Sequence, residues 1–400
     1  MYYCGIDVAK RKHAAVILDS GGEKQGKPIT IANTASGFEE LITNLQSLEE
    51  NVLIGLEATG HYWLALFEVL SRADFKIIVL NPLQVSVYRR SGIRKMKNDR
   101  KDAWWIADYI RIANRPPTAR QLPILMELRE LTRFRYGLMD QVGDLKRKIL
   151  SILDRVFPEY ETVFSDVFIK SSRALLKEAV SAQDIANFDL SELTNILKSN
   201  SRGRFGQEKA NRIQQMAKQS IGIGFLTNAV HLEMQCLLAQ LDLLLDQIAD
   251  LDKAIEEIMD KTEQTITTIP GVGKVTGSAI LAEIGDINRF ENSKKLVAYA
   301  GIDPTVNQTG QFEGTNARMS KRGSPHLRYA LWQAASMAIH NDPELGAYYQ
   351  AKRAEGKHHG TALGAVCNKL LSRIFIILKD NRPYIKRDCK SPIIPSESGV

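Results

Sequence analysis

The chain has 400 residues, 44% hydrophobic and 25% charged, proportions that exclude wholesale disorder and a fibrous repeat and that suggest two or three globular domains. Lysine and arginine number 53 against 46 acidic residues, a formal charge of +7, and the excess matters because it is concentrated in a few segments. The four cysteines, Cys4, Cys236, Cys367 and Cys389, form no Cys-x-x-Cys pair and no apolar run reaches about 18 residues, so a cytoplasmic protein with no disulfide framework, zinc site or membrane span is expected.

From Tyr2 to about Ile112 short apolar runs alternate with helix-like ones. Tyr3 to Val8, His13 to Asp19 and Pro28 to Ala32 read as three strands, the last two joined through Gly21-Gly22. Ser36, followed three residues later by Glu39, has the spacing of a capping box and predicts a helix start. Asn51 to Glu57 then reads as a strand, His61 to Arg72 as a helix, and Phe75 to Leu80 as a fifth strand ended by Asn81-Pro82. A possible meander followed by β-α-β alternation predicts an α/β layer with a mixed sheet.

Beyond Arg115-Pro116-Pro117 long helices take over. Leu131, Phe134, Leu138, Val142, Leu145, Ile149, Ile152 and Val156 recur three and four apart, one stripe of a helix. Met234, Leu237, Leu241, Leu244, Ile248, Leu251, Ile255 and Ile258 repeat the same alternation as a coiled-coil seam. Such a seam suits subunit assembly or pairing with the first stripe. Residues 158–225 between them read as an insertion of unassigned structure, and the chain ends in a polar tail from about Arg382 for which poor order is expected.

Four constellations carry chemistry. Asp7, in Gly5-Ile6-Asp7-Val8-Ala9-Lys10, and Glu57, in Leu53-Ile54-Gly55-Leu56-Glu57-Ala58, end interior strands, where two carboxylates are badly solvated unless they share a cation. Asp99 and Asp102 are three apart, so at a helix start they share a face. Together the four could hold two Mg²⁺ ions for phosphodiester chemistry, although any one alone could be a turn or cap residue. Arg89, Arg90, Arg94, Lys95, Lys97, Arg100 and Lys101 place seven cations in thirteen residues beside this group. A charge run is usually a solvated face, but here it borders a metal candidate, where a phosphate backbone needs neutralising.

Thr268 to Gly277 contains Pro270-Gly271-Val272-Gly273-Lys274 ahead of a helix from Ser278 to Ile284, a helix-hairpin-helix pattern whose Gly271 and Gly273 let backbone N–H groups meet a phosphate. An ordinary helix-helix turn is the alternative. Lastly, Ala300 to Arg328 gathers Thr309-Gly310, Arg318, Ser320, Lys321, Arg322 and Arg328. A hydroxyl among these cations could attack phosphorus, or the stretch could bind phosphate passively.

These motifs together resemble the DEDD insertion-sequence transposases of the IS one-ten group, which include the Piv-type invertases and the bridge-RNA-guided recombinases. The first half matches through Gly-Ile-Asp-Val-Ala-Lys, Glu-Ala-Thr-Gly, Asn81-Pro82 and Lys-Asn-Asp-Arg-Lys-Asp-Ala, the second through Ile-Pro-Gly-Val-Gly, Tyr-Ala-Gly-Ile-Asp-Pro and Met-Ser-Lys-Arg-Gly. The resemblance implies a RuvC-like (RNase H-like) catalytic domain over 1–115 binding Mg²⁺ through Asp7, Glu57, Asp99 and Asp102. It implies a helical coiled-coil linker over 116–262, a mostly α C-terminal transposase domain over 263–381, and the tail 382–400. It also implies strand exchange through a covalent protein-DNA intermediate, target and donor DNA as substrates, an element-encoded guide RNA, and a dimer or tetramer. The family's nucleophilic serine is replaced here by Thr309, whose extra methyl crowds attack, leaving Thr309, Ser320 in its place, or an impaired copy. Arg94, Lys95, Lys97, Arg100, Lys101, Gly271, Gly273, Lys274, Arg318, Lys321, Arg322 and Arg328 are the expected nucleic-acid contacts.

Three other readings compete. A junction-resolving RuvC-like nuclease would use water as nucleophile and leave the C-terminal half without a role. A sugar kinase or actin-like ATPase would need a second Gly-rich nucleotide loop, and none is evident. A non-catalytic nucleic-acid scaffold would cleave nothing.

Overall fold

The computed structural model describes residues 1–48, 50–58, 60–80, 82–90, 99–113, 117–118, 122–225, 227–304, 308–309, 312–313 and 319–386; the side chains at 83, 84, 90, 99, 227, 308, 309, 312 and 313 are outside the description. Arg94, Lys95, Lys97, Arg318 and the tail 387–400 therefore lie outside the described residues. The chain divides into two compact units, residues 1–120 and 121–400.

The first unit runs β1 (Tyr2–Asp7), β2 (Lys12–Leu18), β3 (Ile29–Ala32), α1 (Ala35–Gln46), β4 (Val52–Glu57), α2 (Trp63–Arg72), β5 (Lys76–Leu80), α3 (Pro82–Arg90) and α4 (Asp99–Ala113). Its sheet has the order β3-β2-β1-β4-β5, with β2 antiparallel to β1 and β3, and β4 parallel to β1 and β5. Strand alternation then sorts the side chains between two faces. Cys4, Ile6, Ile17, Ile54 and Leu56 pack with Phe38 and Leu41 of α1 and Leu66 and Leu70 of α2. Ala14, Val16 and Leu18 meet Ala103 and Ala107 of α4, while Leu53, Ile78 and Leu80 meet Val85 of α3 and Ile106 and Ile110 of α4. The helix after β3 is capped by Thr34 instead of Ser36: Thr34 is extended, and its Oγ1 accepts the Gly37 N–H at 3.2 Å, whereas Ser36 already lies inside the first turn.

His13 sits on the α1 face of β2, 1% exposed, with Nδ1 accepting the Ala9 N–H at 3.1 Å and its ring stacked on Phe38. Burial pushes its pKa below the ordinary 6.5. The folded state therefore binds fewer protons here than the unfolded state. The contribution is complete above about pH 6.5 and is lost as pH falls through the folded value. Thermal melts should show the wild-type midpoint falling between pH 7.5 and 5.5 by more than that of His13→Phe; equal falls would show that His13 contributes nothing to the pH response.

The second unit comprises α5 (Pro123–Val156), α6 (Lys170–Glu178), α7 (Ala182–Asn187), α8 (Leu190–Asn200), α9 (Gln207–Lys218), α10 (Thr227–Met259), α11 (Lys274–Ile284), α12 (Ser293–Ala300), a hairpin of β6 (Gln308–Thr309) and β7 (Phe312–Glu313), α13 (Pro325–Asn341), α14 (Pro343–Ala354) and α15 (His359–Asp380). The two long apolar stripes meet each other. Arg135 on α5 bonds Asp252 on α10 at 3.1 Å and Arg155 pairs with Glu233 at 3.6 Å, so ascending numbers on one helix face descending numbers on the other. Met234, Leu237, Leu241 and Ile248 are buried with Leu138, Val142, Leu145 and Ile149, within one chain. The stretch 158–225, unassigned from the sequence, is helical: α6 to α9 close over the same core through Leu175, Ile185, Leu193, Leu197 and Ile213.

A second core joins α11, α13 and α15 through Ile280, Leu331 and Leu370, with Ile255 from the end of α10. α15 is long and apolar enough to cross a membrane. Its Leu363, Val366, Leu370, Leu371 and Ile374 are at most 1% exposed in that core, the arrangement of an interior helix.

Candidate catalytic centre and phosphate-binding loops

The parallel register of β1 and β4 pairs Gly5 with Gly55 and Ile6 with Leu56, so one step on Asp7 stands beside Glu57 at the carboxyl ends of two neighbouring strands. Each acid lies two residues after a glycine and therefore on the same sheet face. Those glycines set the depth of α4. A Cβ at Gly5 would stand 2.2 Å from the Ala103 carbonyl oxygen and the Ala107 nitrogen, and one at Gly55 would stand 2.8 Å from Ile106. Only bare backbone admits the helix so closely, and that approach brings Asp102 down to the sheet, 6% exposed beside Ala103.

Glu57 and Asp102 meet on a single cation. Arg89 of α3 reaches Asp102 Oδ1 with Nη1 at 2.9 Å and Glu57 Oε2 with Nη2 at 3.5 Å. Its neighbour Tyr88 fixes α3 against α4 by donating to the buried Asp108 at 2.6 Å, and burial pushes the phenol up to about 12. Asp99 opens α4, three residues before Asp102, and its side chain is outside the description. Among the described residues no three metal-ligating side chains converge. The pair that does converge consists of hard, buried carboxylate oxygens already gathered on positive charge, a donor set that fits Mg²⁺. Arg100 is exposed and Lys101 half-buried.

In the second unit two motifs close on each other. The Ser320 N–H donates to Asp303 O at 2.9 Å and its hydroxyl to Asp303 Oδ1 at 2.5 Å, the Lys321 N–H bonds Gly301 O at 3.0 Å, and the Ser324 N–H bonds Tyr299 O at 2.9 Å. Gly323 is obligatory here, because a Cβ would sit 2.0 Å from the Tyr299 carbonyl oxygen. Pro304 bridges Met319, and beyond this base the β6–β7 hairpin pairs Thr309 with Phe312. Lys321 is held at φ +52, a conformation that ordinary side chains rarely adopt. Lys321 and Arg322 are exposed, whereas Arg328 is turned inward to Ala300 O at 3.2 Å.

The closing turn before α11 divides its glycines between two tasks. A Cβ at Gly271, φ +91, would stand 2.5 Å from the Ala338 nitrogen of α13, so that glycine serves packing. Gly273, the residue before α11, is exposed with open space where a Cβ would be, the condition for a phosphate to reach the helix N-terminus. Lys274 bonds Asp260 at 2.7 Å. α11 starts at Lys274, four residues before the Ser278 read from the sequence.

A family model for transposases of the DEDD IS110 type matches residues 4–158, and one described as transposase of the IS116/IS110/IS902 family matches 263–350. The chain belongs to the IS110 family of DEDD transposases. It is 25% identical to the protein of the IS117 mini-circle of Streptomyces coelicolor, over 98% of this chain and 97% of that one. It is 24% identical to the pilin gene-inverting protein of Moraxella bovis (96% and 98%) and 24% identical to the transposase of IS1111A from Coxiella burnetii (95% and 90%). The activity class is therefore that of a DNA transposase or recombinase, and divalent-metal dependence is general among DEDD transposases.

Against this family background, Arg89 and Glu283 hold places at these sites that the sequence motifs do not assign to them. Arg89 reads as one cation of a basic run, yet it lies four residues after buried Val85 on one helical stripe, which marks it as inward-facing. Glu283 is the lone charge in the apolar run Ala279 to Ile284. It is 1% exposed and bound by Arg133 at 2.6 and 3.0 Å and by the Ser324 hydroxyl at 2.9 Å.

Proposed function

We propose that this transposase is an RNA-guided, Mg²⁺-dependent recombinase that moves its own element by exchanging DNA strands through a covalent protein-DNA intermediate. The observation that carries the reading is the gathering of Glu57 and Asp102 on Arg89 at the strand ends where Asp7 also stands. Asp7, Glu57, Asp99 and Asp102 of the RuvC-like unit would hold the metal. When bound, Mg²⁺ supplies charge neutralisation at the scissile phosphate.

Thr309, on the hairpin, supplies the hydroxyl: its oxygen gives up its proton and bonds to phosphorus while a deoxyribose oxygen leaves and takes up a proton, and a hydroxyl of the second strand then attacks the same phosphorus, breaking the bond to Thr309, restoring its hydroxyl and joining the exchanged strands. Lys321 and Arg322, with Arg318, would offset charge on the phosphate. The family resemblance supplies the further parts: an element-encoded guide RNA selecting target and donor DNA, and a dimer or tetramer acting in the bacterial or archaeal cytoplasm.

One observation favours a second nucleophile. The Ser320 hydroxyl already donates to a carboxylate, Asp303, the partnership that activates hydroxyls. Covalent adducts trapped on suicide DNA and mapped by mass spectrometry decide between them. Thr309→Ala abolishing the adduct while Ser320→Ala keeps it supports Thr309, and the reverse assigns Ser320. Metal-dependent cleavage with free hydrolysed ends and no adduct would replace the recombinase with a junction nuclease.

A further inference from the structure

The matched family models end at residue 158 and resume at 263, and the α8–α9 hairpin lies between. From Lys198 to Lys218 the chain carries six cations and one acid, Glu208. Lys209 is drawn inward, its ammonium donating to Val163 O above the rings of Phe164 and Phe205. The other five, Lys198, Arg202, Arg204, Arg212 and Lys218, are exposed, and no acid pairs with any of them among the described residues. Several cations elsewhere on the unit's surface are neutralised, Lys274 by Asp260 at 2.7 Å, Lys253 by Asp250 at 3.3 Å, Lys352 and Lys357 by Glu355 at 2.7 Å, whereas the five at this tip stand together within twenty-one residues, unpaired among the described residues.

Arg202 adds an independent observation. α8 ends with Ser201 as its cap, and the Gly203 N–H returns to Lys198 O at 3.0 Å, the closing bond of a Schellman turn. The left-handed slot of such a turn ordinarily belongs to glycine; Arg202 occupies it at φ +55. Strained side chains persist where something other than folding requires them. The tip is also rigid. The Arg204 N–H bonds Ser201 O at 3.2 Å, the Phe205 N–H bonds Ser201 Oγ at 2.9 Å, and Phe205 packs on Phe164. α9 follows from Gly206 with no side chain capping its first N–H groups.

We propose that this tip grips the phosphate backbone of duplex DNA, with Lys198, Arg202, Arg204 and Arg212 as its contacts and the open start of α9 adding N–H donors. Duplex is favoured over single strand because Phe205, the aromatic ring of the tip, is packed inward and offers no stacking platform. The inference rests on the recombinase reading for its choice of DNA.

Fluorescence anisotropy of the full chain with a 40-base-pair duplex of arbitrary sequence, titrated across salt, tests it. The variant carrying Lys198→Ala, Arg202→Gln, Arg204→Gln and Arg212→Gln should bind at least about 10-fold more weakly near 0.1 M salt, with a log–log salt slope shallower by roughly 2 to 4. Arg202→Gly should move two readouts in opposite senses, raising the melting temperature while weakening binding; a rise in melting temperature with unchanged DNA affinity would overturn the proposal. So would a quadruple variant that loses an RNA hairpin but keeps the duplex. Wild-type protein that binds no duplex DNA would sink the recombinase reading together with this one, whereas wild-type binding with unaltered variants would sink this one alone.

Discussion

Asp102→Asn is expected to slow strand exchange by on the order of 10²–10³-fold while the protein still folds and binds DNA, because asparagine keeps the side-chain volume and removes one of the two charges gathered on Arg89. Arg89→Ala makes the complementary test. Without its guanidinium, Glu57 and Asp102, 7% and 6% exposed, lose the shared cation. Stripping a partner from a fully buried pair costs about 3–5 kcal/mol, and the loss here should fall below that because Arg89 is 26% exposed. A divalent ion entering the same carboxylates would restore what Arg89 supplied. The variant should therefore gain more melting temperature from millimolar Mg²⁺ than wild type does, and EDTA should reverse the gain. Equal gains in both proteins, together with an Asp102→Asn enzyme of undiminished rate, would remove the metal centre from the mechanism.

The same acids show what could be read without coordinates. Strand alternation and two apolar runs are enough to put Asp7 and Glu57 at strand ends, and a three-residue spacing is enough to put Asp99 and Asp102 on one helix face. The depth of α4 is a tertiary matter. It depends on Gly5 and Gly55 falling opposite each other in register, a coincidence between segments fifty residues apart. Arg89 was hidden for a related reason, since composition counts its charge while only the packing of Val85 and Tyr88 aims it inward. The long seam from Met234 to Ile258 reads equally well as assembly or as internal pairing until Arg135 is found on Asp252. The helices between residues 158 and 225 escape detection because they are short and close over a core made mostly by α5 and α10.

Glu283→Ala should destabilise the second unit by about 2 kcal/mol, below the range for breaking a fully buried ion pair, because the freed Arg133 side chain is 42% exposed and can turn to water. At the size of this unit that corresponds to a fall in melting temperature of roughly 4–8 °C. Arg129 has no such freedom. Its Nε and Nη2 are fixed on Ala282 O at 3.0 and 2.6 Å, and burial lowers its pKa while Glu283 opposes that shift. Burial would raise the Glu283 carboxyl, but the Arg133 bond outweighs it and holds the carboxyl below the ordinary 4.5. The stabilisation is thus complete above about pH 4.5 and is lost as pH falls through the folded value. Glu283→Gln, with no charge to titrate, should flatten that acid limb and lie between wild type and Glu283→Ala in stability. The loss should also reach function, because Ser324, which donates to Glu283, caps α13 and anchors the loop base from which the Thr309 hairpin rises. Strand exchange should therefore fall further than DNA affinity in Glu283→Ala. A variant that melts like wild type, or that loses binding and exchange in equal measure, would show that Glu283 does not position that base.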